Sequence, residues 1–164
     1  MTKLQYDRIR NWFLAHPTQL CWMKTLNLWL PRLVYCAYPL LLAALTLMRD
    51  GRFFRVLLIP ALAFGGVTVL RKCWNFPRPY EKLEIEPLIS REKQGYSFPS
   101  RHVASVTIIA LACWYVWRPL GIAMWVVALL IAIIRPLAGI HFPRDVVAGM
   151  VFSLLIGLIE FWVI

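Results

Sequence analysis

Apolar residues run through this chain in blocks too long and continuous for strands or for amphipathic surface helices. Stretches at about Trp29–Met48, Phe53–Leu70, His102–Trp117, Leu120–Ile134 and from Asp145 to the C-terminus are almost unbroken. Each approaches the roughly 20 residues that a helix needs to cross a bilayer, so the pattern predicts five spanning helices. The punctuation agrees: Arg49-Asp50-Gly51-Arg52 and Arg118-Pro119 form tight polar turns, and Pro31 falls in the first turn of the first span, where its missing N–H is tolerated. Before it, Tyr6, Ile9, Trp12, Phe13 and Leu20 alternate with Arg8, Arg10, His16 and Lys24. Residues 2–27 are expected to form an interfacial amphipathic helix or helix pair. The longest polar stretch, Arg71–Arg101, holds four Glu, seven Lys or Arg and four Pro and reads as an extramembrane loop. The fold class expected is an all-α polytopic membrane bundle of about five spans, divided into an interfacial segment at 1–27 and one transmembrane domain at 28–164.

Composition sharpens the picture. An apolar content of 60% over 164 residues, with eight Trp, nine Phe and six Tyr, suits a bilayer with aromatic interfaces and excludes an ordinary soluble domain. Arg8, Arg10, Pro17 and Lys24 interrupt the N-terminal stretch, so no signal-peptide core is expected there. The four cysteines form no CxxC pair and read as buried small hydrophobes. The net charge of +10 is spread along the chain rather than gathered on a soluble domain, which argues against nucleic acid as a partner. The spans carry few polar residues, which argues against a transporter. Glu160 lies near the end of the fifth span and is expected at the opposite interface; His16 stands outside any charged cluster and is expected at the interface.

Five spans put the N-terminus, the 71–101 loop and the 135–145 loop on one side. That side carries 14 of the 18 Lys and Arg; only Arg49, Arg52, Arg55 and Arg118 fall on the other. Taken alone, this count places the first side in the cytoplasm.

The two remaining histidines lie on that same side. His102 and His141 are 39 residues apart, separated by two apolar segments that carry the chain across and back. Around them stand Arg71, Lys72, Arg78, Arg101 and Arg135. Arginines near membrane depth are costly and usually have a partner, and guanidinium forks match phosphate oxygens bidentately. Pro99-Ser100 before an apolar run reads as a helix start with Ser100 as N-cap, and the first-turn N–H groups there favour an anion. Asp145 follows His141 by four residues. If a helix begins near Phe142 or Pro143, its carboxylate reaches one ring nitrogen and leaves the other to act as a nucleophile. His102 is then the candidate general acid. Each element has a plainer reading: Arg71 and Lys72 as snorkelling cations, Arg78 as part of a rigid turn between prolines, and Asp145 as a helix cap.

The conjunction resembles the signature of the type 2 phosphatidic acid phosphatase superfamily. Arg71-Lys72-Cys-Trp-Asn-Phe-Pro-Arg78-Pro79, then Pro99-Ser100-Arg101-His102, then Arg135-x5-His141-x3-Asp145 is similar to that family's KxxxxxxRP, PSGH and SRxxxxxHxxxD, in the same order. The resemblance implies a nucleophilic His141 that becomes a phosphohistidine, an orienting Asp145 and His102 as acid. It implies phosphate contacts from Ser100, Arg78, Arg135 and either Arg71 or Lys72, and it requires no metal or cofactor. Three positions depart from the pattern: Arg71 stands for the lysine, Ile134 for the serine before the arginine, and Arg101 for the glycine. The added cation of Arg101 is a candidate contact for a second phosphate. The layout resembles small bacterial undecaprenyl-diphosphate phosphatases, so the expected partners are the membrane and a lipid phosphate substrate. Family precedent puts the site on the extracytoplasmic face, against the charge count. A lipid phosphotransferase of the same family and a non-catalytic lipid-binding membrane protein are the alternatives.

Overall fold

The computed structural model describes residues 1–89 and 94–162. Part of the 71–101 loop, and the last two residues of the fifth apolar stretch, therefore lie outside the described residues. Among the described residues seven helices follow in order: α1 Lys3–Ala15, α2 Pro17–Leu47, α3 Phe53–Cys73, α4 Pro79–Lys82, α5 Arg101–Val116, α6 Arg118–Leu137 and α7 Pro143–Trp162. The expected all-α membrane bundle is what forms. Helices α2, α3, α6 and α7 are long and apolar enough to cross a membrane, and α5 is a shorter apolar helix.

The N-terminal boundary differs from expectation. The backbone breaks at His16 rather than near residue 28, because Pro17 lacks an N–H and disfavours helical geometry in the residue before it; His16 sits at φ −125°, ψ 78°. From Pro17 the chain runs as one 31-residue helix, with Pro31 and Pro39 in its interior. At 1.5 Å per residue α2 is about 46 Å long, well beyond hydrocarbon thickness, so Pro31 lies mid-helix and not in a first turn. His16 stacks on Trp12 at 4.4 Å between ring centroids, and its Nδ1 lies 2.7 Å from the Trp12 carbonyl.

Helix α5 is the axis of the bundle. It packs against α2, α3, α6 and α7, and every residue from Val106 to Cys113 is buried. A helix apolar on all faces belongs inside other helices. At 16 residues, or about 24 Å, α5 is shorter than the bilayer core and is walled in by its longer neighbours. Their outward faces carry exposed Leu40, Leu47, Phe54, Leu62, Ile133 and Leu155, as lipid-facing surfaces do. Of the cysteines only Cys113 is buried; Cys21, Cys36 and Cys73 are exposed and free, so the reading of all four as core residues holds for one.

Two junctions fix α5 lengthwise. At its C-terminal end Arg52, paired with Asp50 in the α2–α3 turn, donates from Nη1 to the Val116 carbonyl at 3.2 Å. At its N-terminal end the Ser100 N–H donates to the Asp145 carbonyl at 2.8 Å, and Ser153 Oγ donates to the Ala104 carbonyl at 2.8 Å. The approach of α7 to α5 is close enough that a Cβ on Gly149 would lie 2.6 Å from the Ser100 carbonyl oxygen. Gly149→Ala should therefore push the two helices apart and cost about 1–3 kcal/mol, the usual range for overpacking. A lowered melting temperature in detergent would show it, and an unchanged one would mean that the junction yields freely.

Candidate active site

The C-terminal ends of α3 and α6 and the N-terminal ends of α5 and α7 gather at one end of the bundle, around a cavity of about 630 Å³. The sequence-predicted residues come to it from three segments. Arg71 and Lys72 form the last turn of α3, where cations complement the helix dipole. Arg101 and His102 open α5. His141 lies in the turn between α6 and α7. All five, with Arg78, line the cavity.

The polar loop is folded back to build the opposite wall. The Arg78 N–H donates to Glu81 Oε2 at 2.7 Å, and the same carboxylate accepts the Gly95 N–H at 2.9 and 3.0 Å. Arg78 Nε donates to the Gly95 carbonyl at 3.0 Å. Gly95 has φ +64°, and a Cβ there would meet Asn75 Oδ1 at 2.4 Å, so this crossing requires glycine. It sets Gln94, Gly95 and Tyr96 beside the cations. Arg78 is therefore more than a surface turn; its side chain is 5% exposed and braces the wall.

The arginines differ in their engagement. Arg71 is buried and donates from Nη1 to the Pro99 carbonyl at 2.7 Å, which ties α3 to the start of α5; Lys72 beside it is exposed. Arg101 lies with its Cζ 5.4 Å over the Phe64 ring. Arg135 is 1% exposed, and its carbonyl accepts the N–H groups of Ile140 and His141 at 3.2 and 3.4 Å. Ser100 is the N-cap of α5, as expected, but its side chain makes no capping bond. Its Oγ is buried without a hydrogen-bond partner among the described residues. Ser100, Arg135 and Asp145 are buried and are not among the residues that line the cavity.

Behind His141 is a residue that the sequence did not single out. Asp145 Oδ2 is 3.6 Å from His141 Nδ1, too far for a hydrogen bond. Ser97 fills the gap: its Oγ donates to Asp145 Oδ2 at 2.5 Å and lies 3.4 Å from His141 Nδ1. Asp145 Oδ2 also accepts the Phe142 N–H at 3.0 Å. Ser97 is itself pinned by its N–H to the Phe76 carbonyl at 2.9 Å. In one sequence, a serine two residues before Pro99 looks like any loop serine; only folding carries it 44 residues along the chain to His141.

Burial pulls the His141 imidazole down from 6.5 to about 4, against the opposing influence of Asp145. At neutral pH the ring is uncharged. With its proton on Nδ1, toward Ser97 and Asp145, the Nε2 lone pair is available to the cavity. The arrangement is a cation-lined pocket that holds a neutral, oriented imidazole and a second histidine.

An integral membrane helical bundle with a cation-lined cavity of this kind defines the class, and comparison with known proteins gives the family. The PAP2 superfamily sequence model matches residues 52–164; the chain belongs to the PAP2 superfamily. It is similar to undecaprenyl-diphosphatase BcrC of Bacillus subtilis (strain 168), 26% identical over 129 residues that make up 76% of this chain and 66% of that protein. This chain thus spans just under two thirds of that relative's length. The crystal structure of Aquifex aeolicus LpxE superposes with a TM-score of 0.74 at 27% identity, covering 95% of this chain and 92% of the other. The PAP2-type phosphatidylglycerolphosphate phosphatase of Bacillus subtilis shares the fold, with a TM-score of 0.51 at 22% identity over 96% of this chain and 90% of that one.

The depressed His141 value has a consequence for stability. The unfolded chain binds a proton at this ring more tightly than the folded chain does, so acid favours unfolding. The stabilisation is fully present above about pH 6.5 and is lost as pH falls toward about 4. The melting temperature should fall more steeply across that window in the wild type than in His141→Gln, which cannot titrate. Equal slopes would show that the buried ring is not held neutral.

Proposed function

We propose that the chain is a membrane lipid phosphatase that works through a phosphohistidine on His141. The observation that carries this reading is the buried, neutral His141, backed by Ser97 and Asp145 and open to a cavity lined by Arg71, Lys72, Arg78, Arg101 and His102. The cations and the first amides of α5 bind the phosphoryl oxygens and stabilise the charge that spreads over them during transfer. His141 Nε2 attacks phosphorus, a P–N bond forms and the P–O bond to the lipid breaks. His102 gives its proton to the departing oxygen. Water then attacks the phosphohistidine, His102 takes a proton from it, and inorganic phosphate leaves with His141 restored. Asp145, through Ser97 or by closing the remaining gap, stabilises the imidazolium character that develops at His141. Protein cations supply the positive charge in every step, so the reaction is written without a metal or cofactor. The site faces the extracytoplasmic side, following the family layout.

The substrate class follows from the pocket and from similarity to an undecaprenyl-diphosphatase. Lipid phosphates in general satisfy the arginines; Arg101, placed on the cavity wall where the family pattern has glycine, adds a cation suited to a second phosphate.

The test is phosphate release by purified protein in detergent with EDTA, offered phosphatidic acid, phosphatidylglycerol phosphate, undecaprenyl phosphate and undecaprenyl diphosphate. Release should persist in EDTA, and His141→Ala should retain less than about a hundredth of the wild-type rate, because losing a covalent nucleophile costs several orders of magnitude. A higher residual rate would sink the phosphohistidine mechanism. Failure with every lipid would favour transfer to another lipid acceptor or a non-catalytic binding role. In the same assay Arg101→Gly should depress diphosphate turnover more than monophosphate turnover; an equal loss on both would remove the second-phosphate contact.

A further inference from the structure

The N-terminal helix was expected at the interface, yet its one fully buried side chain points at the catalytic turn. Tyr6 is 0% exposed. Its Oη accepts the Leu88 N–H at 3.1 Å and donates to the Glu86 carbonyl at 3.2 Å, with the Ala138 carbonyl at 3.5 Å. Leu88 in turn donates to the Ala138 carbonyl at 3.2 Å. The tyrosine ring lies against Gly139, where a Cβ would come within 2.6 Å of Tyr6 Oη and 2.7 Å of its ring carbons. Gly139 has φ +74°, a conformation that suits glycine, and it sits inside the turn that joins Arg135 to His141. Arg10, one helical turn further along α1, pairs with Glu86 and doubles the attachment.

We infer that Tyr6 is a positioning residue for the active site, clamping the Arg135–His141 turn to the 86–88 segment so that the His141 ring is presented at a fixed angle to the cavity. The clamp closes over long distances in sequence, 82 residues to Leu88 and 132 to Ala138. Burial also raises the Tyr6 hydroxyl above its ordinary value. The turn needs such a brace because its geometry depends on a single left-handed glycine, and a nucleophile displaced by a fraction of an ångström loses rate steeply. The role rests on the phosphatase reading for its catalytic consequence, but the clamp itself is independent of it.

Tyr6→Phe removes only the hydroxyl and keeps the ring on Gly139. Leu14→Ala, on the exposed side of the same helix, serves as the control for a general interfacial role of α1. Two measurements are made on full-length protein in detergent: steady-state kinetics on the best lipid phosphate, and amide hydrogen exchange over residues 138–142. For Tyr6→Phe we expect kcat to fall about tenfold with KM nearly unchanged, the signature of lost positioning, together with faster exchange in the turn. Leu14→Ala should change neither. Wild-type kcat in Tyr6→Phe, unchanged exchange at 138–142, or an equal loss in Leu14→Ala would overturn the positioning role. If the wild type itself releases no phosphate, the functional reading fails, and the exchange result alone then decides whether Tyr6 holds the turn.

Discussion

Asp145 is the residue on which the rest of the site depends, because it serves two structures at once. Its backbone carbonyl receives the Ser100 N–H and fixes where α5 begins. Its carboxylate, in the first turn of α7, gathers Ser97, the Phe142 N–H and, at longer range, His141. A wholly buried carboxylate is tolerable only when it is paired and hydrogen-bonded, so every group that satisfies Asp145 is held in place by the cost of leaving it unsatisfied. The carboxylate also gains from the α7 dipole. One charge thus couples the start of the central helix, the loop before it and the histidine turn after α6.

The surrounding cations pose the converse problem. Arg71, Arg78 and Arg135 are buried, each with less than a tenth of its surface exposed. The fold relieves part of the cost by turning backbone carbonyls toward them: Pro99 for Arg71 and Gly95 for Arg78. These carbonyls are neutral acceptors, so they hold the guanidinium groups without themselves cancelling their charge. The carboxylate that might have neutralised it is kept behind His141. A pocket lined by several cations suits an anion of high charge density.

The residues that gather at the cavity were legible in the sequence because most of them sit at helix ends. Arg71, Lys72, Arg101, His102, Arg135 and His141 all fall where an apolar block stops or starts, and counting the crossings places them at one end of the bundle. The apolar blocks themselves announced the bundle. Ser97 and Tyr6 were not legible, because their roles rest on contacts 44 and more than 80 residues away and their neighbours in sequence are ordinary. The course of α2 was misjudged for a related reason: Pro31 was read as a first-turn residue, but a helix packed on α3, α5 and α6 can absorb a missing hydrogen bond in its interior.

What the sequence determined by itself was the set of things governed by local composition: which stretches are apolar, which residues carry charge or an imidazole, and on which end of the bundle each falls. Those follow from transfer free energy and chain length, which act along the chain. The tertiary structure decided the hydrogen-bond order of the site: that Ser97 stands between His141 and Asp145, that Arg71 is committed to Pro99, and that α1 reaches in through Tyr6 to the Gly139 turn. These depend on separations of a few tenths of an ångström between groups far apart in sequence, and a directional bond of that kind exists only once packing has brought both partners to the same place.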